Sequence, residues 1–216
     1  MASQTQQLEN PSTPNLGYPT EVYERRHFNE NNGSLNIYFK KLSSVLGSLF
    51  GVRGGRFMNN PYGSFQDSTD QTAANTTTAY SVKFNTTDYS NGVTVASTTR
   101  LTVVDAGIWN CQFSIQFKNT TNDTQDVDVW FRKNGTDIAN SNSRFGMPAR
   151  KSSGDPSHVV AAMNFFASMN TSDYIEIMWR PSDVGVSIEQ YAAGTSPTRP
   201  TIPSAIATMS FVSNIT

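Results

Sequence analysis

The segment GIWNCQFSIQF, residues 107–117, alternates without a break: Trp109, Cys111, Phe113, Ile115 and Phe117 are apolar, while Asn110, Gln112, Ser114 and Gln116 are polar. Successive side chains of an extended chain point to opposite faces, so the pattern predicts a half-buried strand. Downstream, DVDVWFRKNGTDIANS, residues 126–141, places Val127, Val129 and Phe131 on one face, followed by Asn134-Gly135. That dipeptide suits the two positive-φ positions of a type I′ turn, which predicts a hairpin. Further strands are expected at about 80–85, 92–96, 100–104, 158–168, 173–180, 185–191 and 206–213.

Many short strands separated by turn residues, with no helices between them, predict a mainly β fold: an antiparallel jelly-roll sandwich. Two of the strands depart from simple alternation. In HVVAAMNFFAS, residues 158–168, both alternate sets are apolar, and in DYIEIMW, residues 173–179, Tyr174 and Met178 flank Glu176 opposite Ile175, Ile177 and Trp179. Trp130 likewise opposes Val129 and Phe131. A contiguous exposed apolar patch is rare on a soluble monomer, so Trp130, Val160, Phe166, Tyr174 and Met178 are expected to form a subunit interface.

The front of the chain reads differently. Residues 1–20 hold three prolines among Gln, Ser, Thr and Asn, a composition expected to form an extended arm. Residues 21–50 are expected to be helical, with a short first helix interrupted at Asn31-Asn32-Gly33 and a second one capped by Ser34. In the second, Leu35, Tyr38, Leu42, Val45 and Leu49 recur at spacings of three and four, widened by Phe39 and Leu46. Such a one-sided stripe seeks a partner, either sister helices in a bundle or the surface of another protein. GVRGGR, residues 51–56, then ends the helix; 51–60 is expected to be a Gly/Arg linker in which Arg53 and Arg56 meet an acidic neighbour or keep the chain soluble, and 61–216 the sandwich.

Composition narrows the function classes. The chain has 216 residues, with 16 basic and 17 acidic side chains and a formal charge of -1, so no long-range field favours nucleic acid. No apolar run is long enough to predict a membrane span. The first twenty residues carry neither a basic nor an apolar signal region, so synthesis and folding in a cytosol are expected, and the Asn-x-Ser/Thr sequons, such as Asn75, Asn85, Asn119, Asn134 and Asn170, read as a by-product of Asn and Thr richness. Cys111 is the single cysteine, which excludes a disulfide framework and predicts a buried, inert thiol. His27 and His158 lie far apart, and KSSGDPSH, residues 151–158, reads as a loop, so no catalytic residues are expected. The acidic groups around Asp67 and Asp70 and around Asp123, Asp126 and Asp128 lack the spacing of a calcium loop; neither metal nor cofactor is expected.

Several stretches together carry a resemblance: YGSFQDSTDQTA (62–73), VVDAGIWNCQFSIQF (103–117), VDVWFRKNGTDI (127–138), MNTSDYIEIMW (169–179) and ATMSFVSN (207–214). In this order they resemble the trimeric C1q and tumour-necrosis-factor-like jelly rolls, which implies a homotrimer. The chain is also similar to structural proteins of tailed bacteriophages of the marine and cyanophage type, in which Y-G-x-F-x-D opens such a domain and a segment like RRHFNENNGSLNIYFKKL (25–42) ties it to the particle. That resemblance implies a non-enzymatic virion surface protein, made in the host cytoplasm: a capsid decoration, cement or head-fibre subunit contacting the major capsid protein or another virion protein. A tail-fibre or receptor-binding adhesin for host glycans and a secreted C1q-like ligand are the alternatives; the chain lacks the collagen-like stalk of animal C1q proteins.

Overall fold

The computed structural model describes residues 11–18, 21–50 and 60–214. The chain divides into two compact units, residues 1–59 and 60–216.

In the first unit a single helix, α1, runs Arg25–Phe50 over 26 residues. The break expected at Asn31-Asn32-Gly33 does not occur. Glycine costs a helix interior only about 1 kcal/mol, and starting a second helix costs more than continuing the first. Ser34 is therefore not an N-cap; its hydroxyl donates back to the Glu30 carbonyl at 3.0 Å, inside the helix. Asn31 is bonded to the His27 ring at 3.1 Å and accepts the Gly17 N–H at 3.2 Å, so residues 16 and 17 lie against the first turns of α1. Leu35, Tyr38, Leu42, Val45 and Leu49 are half-buried, while Ile37, Phe39 and Leu46 are exposed. No helix among the described residues is long and apolar enough to cross a membrane. Arg53, Arg56 and all of the expected linker except Asn60 lie outside the described residues, as do residues 1–10 of the expected arm.

The second unit is β-structure. Its strands begin with β1 (Tyr62–Asp67), β2 (Gln71–Thr72), β3 (Tyr80–Ser81), β4 (Thr86–Asn91), β5 (Val93–Ala96) and β6 (Arg100–Val103). The long central strands follow: β7 (Gly107–Asn119), β8 (Gln125–Lys133), β9 (Thr136–Asp137), β10 (Ser143–Met147), β11 (Ser157–Met169) and β12 (Tyr174–Pro181). Closing the chain are β13 (Val186–Ile188), β14 (Gly194–Thr195), β15 (Thr198–Arg199) and β16 (Ala205–Ser213).

Two seven-stranded antiparallel sheets result. In the first, β7 is flanked along its whole length by β11 on one side, while β16 and then β13 share the other, and β1 and β4 continue beyond β16. The second has the order β10-β8-β12-β6-β5. The long strands cross between sheets in the order β7, β8, β11, β12, and the last strand returns to lie between β1 and β7. That pairing, β1-β16-β7-β11 opposite β6-β12-β8-β10, is a jelly roll, the architecture that period-two alternation predicts.

The inward set of β7 is the set read from the sequence: Trp109, Cys111, Phe113, Ile115 and Phe117 are buried. Phe131 of the second sheet reaches across to Phe165 and Phe113 of the first, with ring centroids 5.3 and 5.6 Å apart. Burial pushes the Cys111 thiol up to about 12, which leaves it protonated at neutral pH.

The Asn134-Gly135 turn forms as expected, with φ of 49° and 81°, and Lys133 pairs with Thr136. Asp173 ties this turn to the one before β12: it accepts the Asn170 N–H at 2.8 Å and the Asn134 amide at 2.7 Å, with Lys133 at 3.6 Å. Burial alone would raise the Asp173 carboxyl, but these donors and Lys133 outweigh it and hold it below the usual aspartate range. A carboxyl depressed in the folded state stabilises fully above its unfolded value, about 3.9, and loses that contribution as pH falls through the lower folded value. Urea unfolding should therefore show Asp173→Ala to be less stable than wild type by about 1–2 kcal/mol at pH 7. The gap should narrow at pH 3 and below; an equal gap at both pH values would contradict the account.

Candidate interaction surfaces

Each sheet has an outer face, and their chemistries differ. On the first sheet, β11 turns Val160, Ala162, Asn164 and Phe166 outward, opposite Gln116, Ser114, Gln112 and Asn110 of β7. Strand β16 adds Ile206, Thr208 and Ser210, and β1 adds Tyr62, Ser64 and Gln66. None of the outward side chains just named is charged; the first charges are at the borders, Lys118 at the end of β7 and Asp88 of β4, which accepts from Gln66 at 2.7 Å. Val160 and Phe166 are 54% and 56% exposed, and Asn110 Oδ1, in the row of Phe166, is shielded without a hydrogen-bond partner among the described residues. Moreover β11 is an edge strand of 13 residues. It carries neither the lysine nor the proline that usually guards such an edge.

At one end of this face lies a polar chain. Lys118 is ion-paired with Glu189 Oε1, the Tyr191 hydroxyl donates to Glu189 Oε2 at 2.7 Å, and His158 Nδ1 stands 2.9 Å from the same hydroxyl. Because the tyrosine's one proton goes to the carboxylate, His158 Nδ1 must be the donor to its oxygen. Burial, then Glu189, push the Tyr191 phenol up. With Thr120, Arg150 and Asp155 these residues line a cleft of about 490 Å³. Sequence reading missed this group because its members are distant in the chain.

The second sheet's outer face is ionic. Asp128 receives a two-pronged bond from Arg144, at 2.8 and 3.1 Å, and lies 3.5 Å from Arg180. Asp137 accepts Arg132 Nε at 2.6 Å and the Trp130 indole N–H at 2.8 Å. The Arg132 hydrogen bond is the main reason that the Asp137 carboxyl sits below its ordinary range; partial burial opposes it and the Trp130 N–H adds to it. Arg100 stacks over the Tyr174 ring at 4.5 Å, and Met178 is 1% exposed, its sulfur accepting the Ser81 hydroxyl at 3.3 Å.

The five residues expected to form one interface are therefore not brought together. Val160 and Phe166 belong to the outer face of the first sheet, and Trp130, Tyr174 and Met178 to that of the second, on the far side of the sandwich. Alternation places a side chain on one face or the other of its own strand, and it says nothing of which layer that strand joins. The helical stripe belongs to the first unit, where Phe39 and Leu46 are exposed and no second helix or strand occurs among the described residues. Among the described residues no cluster of three or more His, Cys, Asp or Glu side chains is placed to hold a metal ion.

No protein-family model matches the sequence, and no curated protein matches it. Among solved structures, the globular domain of the zebrafish complement 1qA protein is similar, with a TM-score of 0.45 and 14% identity over 73% of this chain and 100% of that one. The jelly-roll assignment rests on the strand order itself.

Proposed function

We propose that the chain is a non-enzymatic structural protein of a viral particle, a homotrimer whose sandwich stands on the particle surface while its N-terminal segment fastens it to the major capsid protein or another shell component. The observation that carries the assembly reading is the outer face of the first sheet between Lys118 and Asp88 at its borders, a patch without charged side chains that ends in an unguarded edge strand with Val160 and Phe166 exposed. Removing such a patch from water is favourable, and within it no charge has to be desolvated to make contact with a second copy, since Lys118 at its border is already paired with Glu189. Three copies, and the virion setting, are what the sequence resemblances imply. The exposed Ile37, Phe39 and Leu46 on α1 suit attachment to another protein or bundling with sister helices.

Sedimentation of the full chain at micromolar concentration should give the mass of three copies; a monomer overturns the assembly reading. Counting copies per purified particle tests the location: hundreds support a decoration or cement role, whereas a handful favours the second reading, a fibre adhesin for host glycans. One observation favours that second reading, the Trp130 cleft on the opposite sheet.

A further inference from the structure

A cleft of about 290 Å³ opens on the outer face of the second sheet, between Trp130, Asp128 and Arg180 below and the loop from Asp137 to Asn142 above. Its size lies near the lower end of the ~300–1,000 Å³ typical of small-ligand pockets, which suits one ring rather than an extended chain.

The loop is held in place from beneath. Ser141 is buried, its hydroxyl donates to the Ile138 carbonyl at 2.8 Å and accepts the Phe131 N–H at 3.1 Å, and the Ile138 N–H bonds the Phe131 carbonyl at 2.9 Å. On either side of this latch stand Asn140 and Asn142, both exposed, with side-chain amides that bond to no other group among the described residues. Asn140 has φ of 61°, a left-handed conformation that asparagine tolerates. Trp130 is held by its N–H bond to Asp137, so its ring forms a fixed apolar wall.

We infer that this cleft binds a neutral hexopyranose unit of a glycan, which packs an apolar C–H face on Trp130 and exchanges hydroxyl hydrogen bonds with Asn140, Asn142 and Asp137. Three features select that chemistry. Each amide supplies donors and an acceptor together, matching hydroxyls, which are both. The charges bordering the cleft are already spent on one another, Asp128 with Arg144 and Arg180 and Asp137 with Arg132, so a charged ligand would have to break an ion pair to gain one. The loop is ordered before the ligand arrives, which lowers the entropy cost of binding.

This site lies on the face opposite the proposed subunit contact and does not depend on it. The test is saturation-transfer NMR on the full chain with methyl glucoside, mannoside and galactoside at up to tens of millimolar. At least one should bind through its ring C–H protons, and the Asn140→Gly/Asn142→Ala double variant should weaken it by about tenfold or more. Both asparagines are exposed and glycine adopts the left-handed backbone at position 140, so the double variant should keep the wild-type circular dichroism and sedimentation, which separates loss of the site from loss of assembly. No binding of any neutral pyranoside, undiminished binding by the double variant, or binding only of uronic acids or peptides would overturn the inference.

Discussion

Phe166→Glu should convert the assembled protein to monomers. The side chain stands 56% exposed on the outermost strand of the first sheet, in the same cross-strand row as Asn110 and Ser210, and the one outward lysine of β7, Lys118, is eight residues further along that strand from Asn110. A carboxylate there has no arginine or lysine in its own row to pair with, and Lys118 is already paired with Glu189. Burying one member of an ion pair without its partner costs about 3–5 kcal/mol, or roughly 10²–10⁴ in each association constant. Sedimentation velocity should therefore show the monomer's mass at micromolar concentration, while circular dichroism stays that of a folded sandwich because Phe166 lies outside the core. Trp130→Glu is the matched control: it adds the same charge to an aromatic position on the opposite sheet, and it should leave the oligomer intact. An unchanged oligomer with Phe166→Glu, or dissociation by Trp130→Glu alone, would place the interface elsewhere.

That pair of variants also marks how far the sequence could be read. The buried positions of β7 from Trp109 to Phe117 were legible, because both faces there have fixed environments and period two has something to alternate between, whereas the buried Asn119 was not. The same logic is silent for β4, whose residues Thr86–Asn91 are nearly all exposed, so neither face is apolar and no alternation appears. Layer membership was hidden too. Whether Trp130 and Phe166 share a face depends on which strands pair across the sandwich, a long-range choice that neither segment encodes alone. Met178 shows the further step: it is apolar and outward, yet Ser81, nearly a hundred residues earlier, covers it. The cleft was illegible for a related reason. Asn140 and Asn142 look like ordinary loop residues until Ser141 is seen latched to the Phe131 backbone. In α1 the error ran the other way: local breakers were given too much weight against the cooperativity of a 26-residue helix.

The second large effect lies where the two sheets meet. Phe131→Ala should destabilise the sandwich by about 3–5 kcal/mol. Its ring is 1% exposed and projects from β8 between Phe165 of β11 and Phe113 of β7, stacking on the former at an interplanar angle of 29° and tilted 57° to the latter. Truncation removes apolar area and leaves a void that neighbours on two rigid sheets cannot fill, so both the transfer and cavity costs fall due. Against a typical total of about 5–15 kcal/mol, that loss consumes a large share of the stability. It would also loosen the strand whose backbone anchors Ser141. Urea unfolding should show the midpoint falling with little change in slope, and Phe131→Leu should recover part of the loss because it refills some of the volume. The double variant Phe131→Ala/Phe113→Ala should cost less than the two single changes added together, since they share one contact. Additive losses would mean that the two rings are held independently, and that the sheets are joined elsewhere.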